Sequence, residues 1–241
     1  MDLVDAVDAE GVVCAVGAGG KKSLLYALAG RVERAAVTAT VRIPIFDEHV
    51  SRVVVTDDPA TVVRETAEWP VGVVPERERE DRYRGYEPAE IASLADAGAD
   101  AVLVKADGAR TRRVKAPGDH EPQIPGCADV VVPIASVRSV GEPLDEGVAH
   151  RPERVAAITG RSVGDEIRAE DVATVLAHSD GGMKGIPEGA TVIPLVNMAD
   201  DAALVETAEE IAAGVHERAD VPKVVVTSLK ADDPVKRVVS P

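Results

Sequence analysis

Val12-Val13-Cys14-Ala15-Val16-Gly17-Ala18-Gly19-Gly20-Lys21-Lys22-Ser23 is the stretch on which the reading of the fold turns. Five apolar residues, mostly β-branched, make a buried strand. The glycines after it let the chain turn sharply and aim its N–H groups at an anion. Leu24, Leu25 and Leu28 then recur at helical spacing, so a helix is expected from about Ser23 to Val32. A helix N-terminus after a glycine turn favours negative charge, and a lysine in it can reach terminal phosphates. The motif departs from the strict phosphate-loop pattern. Counted back from Lys21, Ala15 stands where the first glycine belongs, and Lys22 stands where a hydroxyl residue belongs. Ser23 supplies a magnesium ligand if the register shifts by one; otherwise Lys22 stands in for metal charge.

Outward from this unit, short Val-rich runs alternate with helical stretches. Strands are expected at residues 35–40, 53–56, 71–74, 101–104, 130–134, 191–196 and, last, 223–227. Helices are expected over 59–68, 88–97, 152–158, 169–177 and 201–215. Continuous apolar strands alternating with helices make a mainly parallel sheet covered on both faces. The fold class is therefore α/β, P-loop-NTPase-like, in one domain over residues 1–241 with long functional loops near 105–126 and 135–151. The alternating charges of Glu76 to Arg84 suit a solvated surface segment.

The chain has 42 acidic and 27 basic residues, a formal net charge of -15, which opposes general nucleic-acid binding and attachment to an anionic membrane. Arginine outnumbers lysine, and carboxylates are scattered along the whole chain, the pattern of a salt-adapted, halophilic surface. Phe46 and Trp69 are the only residues of their types, so Val, Ala, Leu and Ile must build the core. Cys14 and Cys127 are too few for a disulfide framework or a four-cysteine zinc site. Cys14, in an apolar run, is expected to be buried; Cys127 is expected to pack beside a strand. The acidic start has no signal-peptide pattern and no apolar run reaches ~18 residues, so a cytoplasmic location is expected.

In such sheets ligands lie at the carboxyl ends of the strands. Asp107 follows the run Ala101–Val104 and is a candidate magnesium ligand near nucleotide phosphates; Asp-Gly is also an ordinary turn pair. Asn197-Met198-Ala199-Asp200 follows another strand and matches, with Met198 in place of lysine, the Asn-Lys-x-Asp element that reads guanine in GTP-binding proteins. Asp200 can equally cap the following helix.

Together the segments Val16–Lys21, Ala106-Asp107-Gly108-Ala109, Lys115-Ala116-Pro117-Gly118-Asp119-His120-Glu121-Pro122-Gln123-Ile124-Pro125, His150-Arg151-Pro152-Glu153, His178 with Gly181–Gly185, and Asn197–Asp200 resemble, in order, the YqeC family. Its members are described as selenium-dependent molybdenum hydroxylase accessory or selenium cofactor biosynthesis proteins. The Lys115–Pro125 segment is the most specific. Three positions differ from the family pattern: Lys22 replaces threonine, Lys105 replaces glutamate, and the threonine-rich strand end is reduced to Thr38-Ala39-Thr40. Lys22 and Lys105 supply positive charge to one site if both face it.

The resemblance implies a nucleotide-binding accessory protein, taking ATP or GTP with magnesium, whose partner is a molybdenum hydroxylase or its cofactor. Gly17, Ala18, Gly19, Gly20, Lys21, Lys22 and Ser23, with Asn197 and Asp200, are the expected nucleotide contacts. Ser23 and Asp107 are the expected metal ligands; Lys21, Asp107 and His120 are the candidate catalytic groups. Lys115, Asp119, His120, Glu121, His150, Arg151 and Lys184 are expected to face a second ligand or partner. Arg110, Arg112 and Arg113 add a basic run before Lys115. Gly181–Gly185 is expected to be a flexible turn closing over an anion. Two other readings remain: a non-hydrolysing chaperone for a nucleotide-bearing molybdenum cofactor, and, by fold analogy, a biosynthetic kinase or ligase.

Overall fold

The computed structural model describes residues 1–241. A short helix, α1 (Leu3–Ala6), leads into β1 (Gly11–Gly17), and the glycine turn delivers α2 (Lys21–Ala29). Then come β2 (Ala35–Ala39), β3 (Ile43–Pro44), β4 (Arg52–Val55), α3 (Pro59–Glu65), β5 (Val71–Val74), β6 (Glu76–Arg79) and β7 (Arg82–Arg84). A 3-10 turn at Pro88–Ile91 runs into α4 (Ala92–Ala95), followed by β8 (Ala101–Lys105), β9 (Val114–Lys115), β10 (Val130–Ser136) and β11 (Ala149–His150). The chain ends with α5 (Pro152–Thr159), α6 (Ala169–Ala177), β12 (Thr191–Val192), β13 (Leu195–Asn197), α7 (Ala202–His216), β14 (Val224–Thr227) and β15 (Val235–Val239).

One large sheet has the order β15-β14-β13-β10-β1-β8-β2-β5-β4, with β12 also paired to β10. Every pairing in it is parallel except β14 with β15. Side chains alternate across β1 and bury both ways. Val13 and Ala15 pack with Leu24, Leu25 and Leu28 of α2. Val12, Cys14 and Val16 pack with Val63 of α3 and Leu94 of α4. Across the sheet's other half, Val196, Val224 and Val226 meet α6 and α7 through Val172, Leu176, Ile211 and Val215. The α/β architecture, mostly parallel and flanked by helices on both faces, is thus as expected. Cys14 is buried, as expected, and Cys127 is half-buried.

The connections position the site. From β1 the chain crosses to β2 on one side of β8; from β8 it crosses β1 to reach β10 on the other side. The connections diverge around the carboxyl end of β1, which is where open α/β sheets bind ligands. Register sets the neighbours: Ala15 lies opposite Lys105, and Gly17 opposite Ile134.

Several elements differ from the sequence reading. The strand expected over 191–196 is two pieces, because Pro194 offers no ladder N–H and ends the first. Lys223–Thr227 is not the last strand: β15 follows it and caps the sheet edge antiparallel. Glu76–Arg84 does expose its charges, yet folds as the β6–β7 hairpin, joined to β3, with Tyr83 turned inward. The helix expected over 88–97 is mostly a 3-10 turn and one α-turn. The two long loops are stitched together by β9 and β11, which set His150 opposite Lys115. No helix is long and apolar enough to cross a membrane.

Candidate functional site

The glycine turn rests on the ends of three strands. Gly17 N–H donates to Asp107 Oδ2 at 3.1 Å, tying the end of β1 to that of β8. Ala18 N–H bonds the Ile134 carbonyl at 2.8 Å, and Gly19 N–H the Arg112 carbonyl at 3.0 Å. Three of the four amides expected to cradle phosphate are therefore already held by the protein. Glycine is required where the turn meets its neighbours: Gly19 has φ +85°, and a Cβ there would sit 2.6 Å from Ser136 N. The donors left to a ligand are those of Gly20 and the first turn of α2, which has no side-chain cap.

Lys21, in that first turn, is 6% exposed, and its ammonium turns back to donate to the Gly17 carbonyl. Two other buried lysines share the region. Lys115 Nζ pairs with Asp107 and, at 2.6 Å, with Glu121. Arg151 pairs with Glu121 at 2.7 Å. Lys105 Nζ donates to the Arg42 carbonyl at 2.8 Å. Two cations, Lys115 and Arg151, thus pair with the carboxylates Asp107 and Glu121, and the ammonium groups of Lys21 and Lys105 lie close enough to feel the charge of Asp107, in a protein that is otherwise strongly acidic.

The electrostatics follow from this crowding. Burial, then the charge of Lys21, brings Lys105 down to about 7, with Lys115 and Lys22 adding to the effect. Burial likewise lowers Lys21 to about 8, against the pull of Asp107. Burial alone would raise the Glu121 carboxyl, but hydrogen bonds from Arg151 and Lys115 outweigh it and hold it at about 2. His150 is lowered by burial and by the neighbouring cations Lys115 and Arg151. Lys22 makes no ion pair or side-chain hydrogen bond, so its charge is uncommitted.

Asn197 binds the third side of the turn, and Asp200 follows three residues later. Asn197 is 3% exposed; its amide donates to the Gly19 carbonyl at 2.8 Å. Its oxygen accepts from Leu229 N at 3.1 Å and Thr227 Oγ1 at 3.2 Å. Asn197 is thus a clamp between the glycine turn and the end of β14. Asp200 accepts from Ser228 Oγ at 2.5 Å and from Arg138 at 2.9 Å. The helix cap considered for Asp200 belongs instead to Asp201, which accepts from Leu204 N.

The structure does not bring every candidate into the cluster. His120 is exposed, and only its carbonyl is engaged, by Gln123. Asp119 is exposed and pairs with Arg154 at 2.9 Å. Ser23 is half-buried near the turn, with no side-chain hydrogen bond. The Gly181–Gly185 segment is packed, not free: Gly182 N–H bonds the Val175 carbonyl, and Lys184 donates to the Gly118 carbonyl at 2.6 Å. Between this turn, Asp107 and Lys115 only about 10 Å³ is open, room for one water. Of the basic run, Arg113 pairs with Glu142. A larger open cavity, about 400 Å³, lies past β2 and β5 and is lined by Thr40, Arg42, Glu76, Glu78 and Arg84. Ser228, Thr227, Arg138 and this cavity have no signal in the sequence, because each acquires its place only through sheet order.

A magnesium cage is not ready-made. One Asp107 oxygen accepts from Gly17 N–H, and the other from Gly108 N–H and the Lys115 ammonium. No group of three or more His, Cys, Asp or Glu side chains is arranged to hold a metal ion. The Lys115 ammonium stands at the carboxylate oxygen a metal would use, so Asp107 and Ser23 do not by themselves fit a resident ion.

The model of the family described as YqeC protein matches residues 13–153, the span that carries the glycine turn, Asp107, Lys115, Glu121 and Arg151. The curated "Uncharacterized protein YqeC" of Escherichia coli (strain K12) is 28% identical over 193 residues, which cover 77% of this chain and 75% of the relative. With the family model spanning more than half of its length, the chain belongs to the YqeC family.

Proposed function

We propose that this protein binds the phosphates of a nucleotide, ATP or GTP, at the carboxyl ends of β1 and β8, in a P-loop-NTPase-like fold. One observation carries the reading: three buried lysines, Lys21, Lys105 and Lys115, lie within reach of one another's charge around Asp107, and Lys21 stands in the first turn of an uncapped helix beside a glycine turn. Burying cations is costly, and carboxylates compensate only part of the charge here. A polyanion supplies what is missing. Lys21 releases the Gly17 carbonyl and bonds the terminal phosphates, the amides of Gly20 to Ser23 direct their hydrogens at the same oxygens, and uncommitted Lys22 adds a further cation.

Sheet order supports the P-loop likeness, since the glycine-turn strand lies directly beside the strand ending in the acidic residue. Magnesium, on this reading, arrives with the nucleotide and is held chiefly by phosphate oxygens and water, as is usual for this ion. Asp107 serves as the anchor between β1, β8 and Lys115, and the Ser23 hydroxyl, in the first turn of α2, stays uncommitted.

His120, expected to act as a proton shuttle, is exposed and makes no side-chain bond to the cluster, and Asp107 is engaged by Lys115. Binding without fast turnover is thus better supported than hydrolysis, which favours the chaperone reading over the NTPase reading. That its cargo or partner is a molybdenum hydroxylase or its nucleotide-bearing cofactor, in selenium cofactor maturation, rests on the family resemblance alone.

The test is the thermal midpoint with ATP, GTP and molybdopterin dinucleotide, each with and without magnesium. A ligand of the folded state at a hundredfold excess over its dissociation constant adds ~2.7 kcal/mol of stability. A nucleotide-dependent rise is expected, with part of it kept when magnesium is omitted. No rise with any of the three would contradict the proposal.

A further inference from the structure

We infer that the base end of this site selects guanine, read by the Asp200 carboxylate. The inference rests on the nucleotide reading above and adds the base to it. Strand order sets β13 beside β10 and β14 beside β13, so the segments after β13 and β14 emerge together next to the glycine turn. Asn197 joins all three, through the Gly19 carbonyl on one side and through Leu229 N–H and Thr227 on the other. A Cβ on Gly20 would lie 3.4 Å from Leu229 Cδ1, so the Leu229 side chain forms an apolar wall against the turn.

Asp200 stands three residues beyond this clamp and differs from Asn197 in one decisive respect. Asn197 is buried, with its nitrogen and oxygen both committed to the clamp, whereas the Asp200 side chain is 42% exposed. Ser228 Oγ holds one carboxylate oxygen at 2.5 Å and so orients the group. The other oxygen is paired with Arg138, whose own side chain is 47% exposed. An exposed pair of this kind is weak, so an incoming base can displace Arg138 at little cost. An oriented, reachable carboxylate three residues past the clamp on the glycine turn can accept from two adjacent donors. Guanine offers that pair on its Watson–Crick edge, N1–H and the N2 amine. Adenine turns the N1 lone pair toward the same carboxylate and is repelled.

Asp200→Asn tests the pairing. The amide offers one acceptor and one donor, which match the N1–H and C2 carbonyl of xanthine in place of guanine. Affinities of wild type and variant for GTP, ATP and XTP are measured by titration, with the unfolding midpoint as a check on the fold. Wild type is expected to prefer GTP over ATP by roughly 10- to 100-fold, the scale of hydrogen bonds to a charged group. In the variant GTP should fall by a similar factor, XTP should rise above GTP, and ATP should rise, because the amide no longer repels adenine N1 and can donate to it. Ser228→Ala, which removes only the orienting hydroxyl, should weaken GTP by less and leave ATP alone; it serves if the first variant unfolds. Equal GTP and ATP affinities in wild type, or a GTP affinity unmoved by both changes, would overturn the guanine inference while leaving the phosphate site intact. No binding of any nucleotide would overturn both.

Discussion

Lys115→Met is expected to lower folding stability by about 3–5 kcal/mol, seen as a fall in the urea midpoint with an unchanged slope. The Lys115 side chain is fully buried between Asp107, itself 2% exposed, and Glu121. Methionine fills nearly the same volume and supplies no charge. Glu121 keeps its bond to Arg151, so the loss falls on Asp107, which retains only the N–H groups of Gly17 and Gly108. A buried carboxylate without its cation is the expensive half of such a pair. Adding Asp107→Asn to Lys115→Met should therefore recover much of the loss, since the amide needs no counter-charge. A loss below ~1 kcal/mol, the value of an exposed pair, would mean that the cluster is open to water.

Nucleotide affinity is expected to fall by on the order of tenfold per pH unit between pH 7 and 8, and more steeply above, where two protons are taken up. The free protein holds Lys105 at about 7 and Lys21 at about 8, both depressed chiefly by burial. A bound polyanion favours the ammonium forms and raises both values, so binding takes up protons in the interval between the free and bound values. Folding responds with the opposite sign. The unfolded chain, with lysines near the ordinary 10.5, binds more protons than the folded one from about pH 7 upward. Stability of the ligand-free protein thus rises with pH across that window through these two groups, while its affinity for phosphate falls. Calorimetric titration in two buffers of different ionisation enthalpy reads the proton uptake directly. Absence of uptake between pH 7 and 8 would mean that phosphate does not reach these lysines.

The parallel sheet was legible because each of its central strands is a run of buried Val, Ala and Leu, and burial on both faces leaves no room for polar alternation. The glycine turn was legible for a related reason: glycine is needed there by backbone conformation and close approach, which are local properties. The β6–β7 hairpin was not, because its charged residues pack little, and β15 was not, because an edge strand needs only one partner. Site residues divide the same way. Asp107 and Lys21 sit on strand and helix ends that composition reveals. That Lys115 closes on Asp107, or that Asn197 clamps the glycine turn 178 residues away in sequence, depends on strand order, which no local pattern encodes. His120 shows the converse: a histidine between two acidic residues has the chemistry of a proton shuttle, but the loop turns it to solvent.

The most direct measurement is a titration of nucleoside triphosphate into wild type and Lys21→Ala, at low and molar KCl, with the unfolding midpoint of each protein recorded. In the ligand-free fold Lys21 donates only to the Gly17 carbonyl and its charge is buried at a cost, so relief of that cost offsets the lost packing and the variant should stay folded. Saturable binding to wild type, weakened roughly 10- to 100-fold in Lys21→Ala, is the predicted result, the scale of a hydrogen bond between charged groups. Equal affinity in the two folded proteins, or no binding to wild type, would contradict the phosphate site itself.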